Sequence, residues 1–442
     1  MKKCYQTNYS KKEYFKEINF NNLNLDKIDS TIYIKKNNLK QEIVGFGGAF
    51  TEASAYVYSK ASKEVKEKIM KLYFSSEGLG YELGRMSIHS CDFSFGNYSY
   101  IEENDQTLES FTIEREYEYL LPMLHDTMKY SPNLKMAVAP WSPPAFMKSN
   151  NEMNHGGKLL KSYYDLYSEY IVKYLLAMKK EGIDIEYLSL QNEPEANQTW
   201  DSCIYTPEEM LELVKVIHPK LQRNCLNPKI LILDHNRDIL EKWAAAAQND
   251  KEALELIWGL AIHWYVSEDF DALRRAKMIA PSLNILFTEG CIEGGPRPFK
   301  LHTGERYIRN MIGDLNNGCS GYIDWNLILD EKGGPNHKNN FCDSPMLLLD
   351  DGFLIVNSSY YYIGHIAKFI KKGSYILEHL NENNELYVLT ALNELKQTVI
   401  VLCNSTDKNL TYSVKYLDED VKGLIEAHTI QTWVVDNDEQ IQ

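Results

Sequence analysis

The chain has 442 residues, of which 44% are hydrophobic and 25% charged, the usage of an ordinary globular protein. A chain of this length buries a core without disulfides, which excludes disordered, collagen-like and miniprotein architectures. Its 47 basic and 62 acidic residues give a formal net charge of −15, which repels phosphate backbones and anionic lipid surfaces. We therefore expect no nucleic-acid partner and no stable membrane insertion, while the sequence leaves the oligomeric state open.

The cysteine pattern and the N-terminus indicate a reduced, unexported protein. The eight cysteines include no C-x-x-C pair, which predicts neither a zinc site nor a dense disulfide framework. The first 15 residues lack the apolar segment of a signal peptide, and no stretch approaches the roughly 18 apolar residues of a membrane span. We expect a cytoplasmic protein, or a secreted one if a leader has been removed.

A short strand-like segment precedes a long α/β region. Residues 31–36 have β-branched character and predict a strand in the N-terminal segment, residues 1–42. From residue 43 onward, short apolar runs alternate with helical patterns, which is typical of βαβ units around a parallel sheet. The runs are 43–51, 81–89, 134–141, 186–194, 229–235, 260–265, 284–290 and 321–329. Eight such strands close a (β/α)₈ TIM barrel, here predicted over residues 43–366.

Helical periodicity fills the gaps between these runs. The clearest helices are 62–72, 163–180 and 206–221. Thr206 followed by Glu209 forms a capping box, with Pro207 at the first helical position. The longer gaps leave room for elaborated loops, which build the active site at the carboxyl ends of barrel strands.

After residue 366 the hydrophobic pattern changes to a period of two. The alternating runs are 386–392, 398–403, 410–416 and 428–435. This pattern predicts antiparallel strands. We expect them to join the N-terminal strand in a smaller β-sandwich side domain, residues 367–442, built from both chain ends.

Two glutamates stand out among the polar residues at the predicted strand ends. Glu193 and Glu289 each close an otherwise apolar run, and they lie 96 residues apart, the length of three βα units of about 32 residues. That spacing places them on the fourth and seventh barrel strands. A pair of carboxylates is what cleavage of a glycosidic bond needs, with retention if they are about 5–5.5 Å apart. Pro194 also predicts extended backbone at Glu193.

Aromatic side chains gather near the same strand ends. They are Trp141, Trp264, Tyr265 and Trp325. Their flat faces suit the C–H surface of a pyranose ring, although each is equally open to interpretation as core packing.

A metal-dependent barrel hydrolase is a distant alternative. Asp234, His235 and His263 offer metal-ligating atoms, but strand-end histidines more often bond carboxylates, and we expect no metal and no cofactor. The sequence has no Walker loop, H-E-x-x-H or G-x-S-x-G motif. The strongest sequence grounds for phosphoryl transfer, zinc proteolysis and serine hydrolysis are therefore missing.

Several long motifs in order resemble one known family. They are GFGGAFTEA (45–53), GRMSIHSCDFS (84–94), APWSPPAFMK (139–148), QNEPEA (191–196), IHWY (262–265), FTEGC (287–291) and DWNLILDEKGGPNHKNNF (324–341). Together they resemble glycoside hydrolase family 30, and most closely its glucosylceramidase branch. The resemblance is strong over residues 40–375 and looser in the C-terminal domain.

The resemblance implies a TIM barrel with a side β-sandwich and retaining cleavage of β-glucosides without a cofactor. By motif position, Glu193 is similar to the family's acid/base and Glu289 to its nucleophile. His263 and Tyr265 match positions that orient the nucleophile's surroundings. The positions similar to those that hold the sugar are Asp92, Trp141, Asn192, Trp325 and Asn340. We also expect the charge of Glu289 and partial burial to raise the pKa of Glu193.

Other activities stay open at this point. Neighbouring branches of the family cleave β-1,6-glucans or β-xylosides, so a β-1,6-glucanase or β-xylosidase is the alternative to a β-glucosidase. A carbohydrate-binding protein without turnover is a more distant one, disfavoured because both Glu193 and Glu289 are present.

Overall fold

The computed structural model describes residues 2–18, 25, 27–416 and 419–437, and the rest of the predicted end domains lies outside the described residues. Three strands come before the barrel: β1 (Lys2–Asn8), β2 (Glu13–Ile18) and β3 (Ser30–Glu42). The third contains the strand predicted at 31–36, whereas β1 and β2 were not predicted.

A closed parallel barrel forms the centre of the molecule. Its strands are β4 (Gly45–Ala49), β5 (Leu83–Ile88), β6 (Lys135–Pro140), β7 (Ile185–Ser189), β8 (Lys229–Asn236), β9 (Ile257–His263), β10 (Asn284–Glu289) and β11 (Cys319–Asp324). Each overlaps its predicted run, and β11 pairs with β4 to close the ring. The predicted TIM barrel is confirmed.

Helices cover the outside of the barrel. They are α1 (Glu52–Lys60), α2 (Lys63–Phe74), α3 (Leu120–Met128), α4 (Tyr164–Lys180), α5 (Pro207–Arg223), α6 (Leu240–Asn249), α7 (Lys251–Leu256), α8 (Asp271–Ile279), α9 (Leu301–Asn316) and α10 (Ser358–Ala367). The predicted capping box at the start of α5 is present, with Thr206 and Glu209 bonding each other's backbone N–H. It sets the point at which the loop after β7 becomes helix.

The barrel interior changes from apolar to polar along its axis. One cluster of buried residues fills its lower part: Leu83, Ala137, Tyr187, Leu231, Ala261, Leu286 and Ile323. Further along β5, β8 and β10, Arg85, Asp234 and Glu289 also point into buried space. Charged groups in that position are stable only when they are paired, so the upper layer is where a functional site is expected.

The remaining strands follow the barrel in the chain. They are β12 (Leu329–Asp330), β13 (Met346–Leu348), β14 (Leu354–Val356), β15 (Tyr375–Asn381), β16 (Leu386–Leu392), β17 (Thr398–Asn404), β18 (Leu410–Tyr416), β19 (Glu419–Ile425) and β20 (Thr429–Val435). The first three form a small sheet beside the barrel mouth. The other six combine with the three N-terminal strands.

These nine strands form one sheet in the order β19-β18-β3-β15-β16-β17-β20-β1-β2. Neighbours are antiparallel except β18 and β3, which are parallel. The sheet curls over itself, since Trp433 Nε1 of β20 donates to Tyr412 Oη of β18 at 3.2 Å. The result is the predicted separate β-domain built from both chain ends.

The strand β1 shows why the N-terminus was not predicted as strand. It begins with two exposed lysines, and Cys4 and Tyr5 are the only hydrophobic residues among its seven. It becomes a strand because its backbone pairs with β20 from Lys2 to Thr7. His365 of α10 then fastens the sheet to the barrel, with its ring nitrogens 2.8 Å from the hydroxyls of Thr7 and Thr432.

Candidate active site

Two glutamates face each other at the carboxyl-terminal mouth of the barrel. Glu289 is the last residue of β10, and Glu193 lies in the loop after β7. One carboxylate oxygen of each lies within 4.8 Å of the other and of a ring nitrogen of His263. This separation is near the roughly 5–5.5 Å of retaining glycosidases and short of the roughly 6.5–9.5 Å of inverting ones.

Arg85 on β5 connects the groups beneath the pocket. Its Nη1 donates to Glu289 Oε2 at 2.5 Å, and its Nη2 donates to Asp234 Oδ2 at 2.9 Å and to Asn192 Oδ1 at 2.8 Å. The guanidinium is fully buried. A single fixed positive charge therefore balances two buried carboxylates and orients the amide beside Glu193.

His263 lies between two other carboxylates. Its Nδ1 is 3.1 Å from Glu193 Oε1, and its Nε2 is 3.1 Å from Asp234 Oδ1. Burial acts to lower the pKa of His263, but the charge of Glu289 and the bonds to Asp234 and Glu193 outweigh it and raise the pKa to about 9. The imidazole therefore carries two protons at neutral pH, one facing each partner.

The expected rise in the pKa of Glu193 is wrong for the free protein. Burial acts to raise it, but the hydrogen bond and charge of His263 outweigh burial and lower the pKa. Burial raises the pKa of Glu289, against the opposing charges of His263 and Arg85. The proton expected on Glu193 is held instead by His263, one hydrogen bond away.

The backbone at Glu193 is also not the extended one that Pro194 predicts. Its φ is +47°, in the left-handed region that non-glycine residues rarely adopt. The Glu193 amide donates to the carbonyl of Asp234 at 2.9 Å, which holds this conformation. Such strain costs roughly 1–3 kcal/mol and is typical of functional sites.

The glutamates open into a pocket of about 460 Å³. Such a volume lies within the range of small-molecule sites. Most of the predicted site residues line it: Asp92, Trp141, Asn192, Glu193, Tyr265, Glu289, Trp325 and Asn340. His263 lies behind this wall, fully buried, and reaches the pocket through Glu193.

Two tryptophans form one wall of the pocket. The rings of Trp141 and Trp325 stack at 5.3 Å between centroids, and the guanidinium of Arg85 lies 4.9 Å from the Trp141 ring. Trp264, grouped with them in the sequence, is elsewhere: it packs against Tyr307 and donates to the carbonyl of Cys291. The position of Trp264 near a strand end does not predict that its ring packs into the hydrophobic core outside the pocket.

Two polar contacts complete the pocket. Tyr265 Oη donates to Glu289 Oε1 at 3.0 Å, and Asn340 Nδ2 donates to Asp92 Oδ2 at 3.0 Å. Burial and the charge of Glu289 raise the pKa of Asp92 to about 8. Asp92 is thus mostly protonated at neutral pH and offers both a donor and an acceptor.

The sequence assigned no role to Arg85 and Thr288 and considered Asp234 only as a metal ligand, although the structure places all three at the centre of the site. Thr288 Oγ1 donates to Asp234 Oδ1 at 2.6 Å, so that carboxylate is bonded by three residues. The available signal was a charged residue inside each of the apolar runs of β5 and β8. Such residues point into a barrel only where partners neutralise them.

The two histidines considered as metal ligands, His235 and His263, face hydrogen-bonding partners. Both ring nitrogens of His263 face carboxylates, and with a pKa raised to about 9 the imidazole has no free lone pair at neutral pH. His235 Nδ1 lies 3.3 Å from the Asn236 amide and 3.9 Å from Glu193. The cluster is a hydrogen-bonded network around the two glutamates.

This combination defines a class of protein. A TIM barrel carrying two close carboxylates at its strand ends, beside stacked tryptophans, is the arrangement of glycoside hydrolases that act on sugar rings. The fold and the site agree on that class.

The chain belongs to glycoside hydrolase family 30, since residues 43–370 match the Glycosyl hydrolase family 30 TIM-barrel domain. It is 33% identical to putative glucosylceramidase 3 of Caenorhabditis elegans over 368 residues, 79% of this chain and 70% of that protein. The crystal structure of SrfJ from Salmonella typhimurium is similar with a TM-score of 0.94 and 33% identity, covering 99% of this chain and 100% of that one. An endo-β1,6-glucanase structure has a TM-score of 0.90 and 25% identity, covering 99% of both chains. The enzyme class expected from the motifs is confirmed.

Among the described residues, no helix has both the length and the apolar character needed to cross a membrane.

Proposed function

We propose that this enzyme is a retaining β-glucosidase of the glucosylceramidase type, with Glu289 as nucleophile and Glu193 as acid/base. The observation that carries the proposal is that the two carboxylates approach to within 4.8 Å at the barrel mouth. At that separation no water fits between a sugar and the second carboxylate, so the carboxylate itself attacks. The similarity to a glucosylceramidase over 79% of the chain supports the sugar and the anomer.

The surroundings of Glu289 suit a nucleophile. Arg85 and Tyr265 donate to different oxygens of its carboxylate, at 2.5 and 3.0 Å. Both bonds favour the ionised form and fix the orientation of the attacking oxygen. In the first step this oxygen bonds the anomeric carbon as the bond to the leaving oxygen breaks.

The surroundings of Glu193 suit proton transfer. The imidazolium of His263 holds a proton across a 3.1 Å contact with Glu193, and the carboxylate of Asp234 on its other nitrogen stabilises that positive charge. In the first step Glu193 delivers this proton to the leaving oxygen. In the second step Glu193 accepts a proton from the water that attacks the anomeric carbon, and the bond to Glu289 breaks.

The first test is hydrolysis of nitrophenyl β-glucoside, with Glu289→Gln as the blank. We expect turnover in the wild type, loss of at least about 10³-fold in the variant, and the β anomer as the first product in an NMR time course. Azide should rescue Glu289→Gly and produce an α-glucosyl azide. First formation of α-glucose would contradict the mechanism.

A β-1,6-glucanase is the second candidate, favoured by the 0.90 TM-score over 99% of both chains. It predicts release of oligosaccharides from a β-1,6-glucan and little turnover of the aryl glucoside. A β-xylosidase predicts higher kcat/KM on nitrophenyl β-xyloside than on the glucoside. A binding protein predicts turnover of none of them.

A further inference from the structure

Two cysteines meet in the wall of the active-site pocket. Cys291 lies two residues after Glu289, and Cys342 lies in the loop between β12 and β13. Their Sγ atoms are 3.1 Å apart, and both residues are reduced and line the pocket. Neither thiol has a part in the proposed hydrolysis.

Main-chain bonds hold the two segments together without help from the thiols. The Asp343 amide donates to the Ile292 carbonyl at 2.8 Å, and the Gly294 amide donates to the Phe341 carbonyl at 3.1 Å. A disulfide has an S–S bond of about 2.05 Å, so the sulfurs need to approach by only about 1 Å. Rotation about the side-chain bonds of two cysteines supplies such a movement.

Each thiol contacts a residue of the sugar site. Cys291 Sγ lies 3.6 Å from Tyr265 Oη, which donates to Glu289. Cys342 Sγ lies 3.8 Å from the carbonyl of Asn340, whose side chain donates to Asp92. A displacement of both sulfurs is therefore transmitted to Tyr265 and Asn340, which line the pocket.

We propose that Cys291 and Cys342 form an oxidation site, in which a reversible disulfide lowers the activity of the enzyme. The effect on activity rests on the proposed function, whereas formation of the disulfide does not. The oxidant is a peroxide small enough to enter the pocket. One thiol attacks the O–O bond to give a sulfenic acid and water, and the second thiol displaces water from that sulfur. Two thiols and one hydrogen peroxide thus become one disulfide and two waters.

Two properties of the reaction follow from the location. Burial raises the pKa of Cys291 well above its ordinary value, so the reaction is faster at alkaline pH, where more thiolate exists. Access is through the pocket, so a bound sugar slows oxidation.

The experiment treats the full-length reduced protein with hydrogen peroxide, with and without saturating glucose. We expect intact mass to fall by two hydrogens and peptide mapping to join Cys291 to Cys342. We expect kcat on nitrophenyl β-glucoside to fall about tenfold or more, because displacement of positioning groups by about 1 Å is costly to rate. Dithiothreitol should restore both mass and rate.

Each variant is compared with its own reduced form. Cys342→Ala and, independently, Cys291→Ala should lose the mass change and the peroxide sensitivity of kcat. Cys225→Ala, which removes an exposed thiol far from the pocket, should respond as the wild type does. Two single variants guard against one that fails to fold.

Either of two results overturns the proposal: no peptide joining Cys291 and Cys342 after oxidation of the folded protein, or a complete cross-link with unchanged kcat. If the protein lacks glucosidase activity altogether, the proposed function fails, but mass and peptide mapping still report on the disulfide. The two failures are therefore distinguishable.

Discussion

Arg85 Nη1 lies 2.5 Å from Glu289 Oε2, and this buried ion pair joins the second barrel strand to the seventh. The same guanidinium bonds Asp234 and Asn192. The positions of Glu289, Asp234 and Asn192 therefore depend on one buried side chain.

Replacing Arg85 with Ala should cost both stability and activity. Removing one partner of a buried ion pair typically costs about 3–5 kcal/mol, and losing the donor to Glu289 should lower kcat by about 10²–10³. The matched control is Arg237→Ala, which breaks the equally buried pair with Asp314 outside the pocket. Denaturant unfolding should show a similar loss of stability in both variants. The kcat per folded molecule should fall strongly only in the Arg85 variant. Equal rates would contradict its positioning role.

Replacing Glu193 with Gln should produce a loss that depends on the leaving group. Substrates with poorly acidic leaving groups need the proton and should lose about 10²–10⁴ in rate, whereas dinitrophenyl glucoside should lose much less. Glu195→Gln is the control, since Glu195 lines the same pocket but bonds Lys242 and Trp243. Rates across a series of aryl glucosides measure the difference. A uniform loss across the series would show that Glu193 is not the acid.

The free energy of unfolding should fall as pH rises, and part of that fall should depend on His263. Its folded pKa of about 9 lies above the ordinary value of 6.5, so its contribution is fully present below pH 6.5 and is lost as pH rises through 9. Between pH 6.5 and 9, both proteins are compared by the change in their free energy of unfolding. The loss should be larger in the wild type than in His263→Gln, by on the order of 3 kcal/mol. Denaturant unfolding at pH 6, 7.5 and 9 would check this. If the free energies of unfolding of the two proteins changed equally with pH, His263 would be neutral in the folded protein.

Trp141 and Trp264, both predicted near strand ends, should respond differently to substitution. Trp141→Phe should raise KM about tenfold, because stacking on its larger ring is worth roughly 0.5–1.5 kcal/mol. Trp264→Phe should lower the Tm and leave KM unchanged, since its ring lies in the core against Phe287 and Tyr307. Steady-state kinetics and thermal unfolding of both variants make the comparison. If KM changed in Trp264→Phe and not in Trp141→Phe, the placement of Trp141 in the pocket wall and Trp264 in the core would be contradicted.

The pocket should discriminate against anionic sugars. Among the described residues that line it there are five acidic side chains and no lysine or arginine: Asp92, Glu193, Glu195, Glu289 and Glu293. A uronic-acid carboxylate would be desolvated among like charges without a partner. We expect kcat/KM on nitrophenyl β-glucuronide to be at least about 10²-fold below that on the glucoside. Comparable values would contradict this role of the acidic side chains.

Local pattern was enough for the architecture and for the glutamate pair. The eight barrel strands follow from short apolar runs alternating with amphipathic helices, because a parallel sheet buried on both faces tolerates little else. Glu193 and Glu289 follow from the same pattern, since residues at the carboxyl ends of barrel strands converge by geometry. The capping box at Thr206 is local for a similar reason: its partners are three residues apart.

What the chain's own residues determine locally thus includes the barrel, the β-domain and the two glutamates. The tertiary structure alone decided the partners: Asn340 against Asp92, 248 residues earlier, His263 against Glu193, and Trp264 away from the pocket. It also made β1 a strand by supplying β20 as its backbone partner. The physical reason is that hydrogen bonds and charge balance depend on distances between segments remote in sequence, which no hydrophobic period encodes. The proton expected on Glu193 is held by His263 for that same reason.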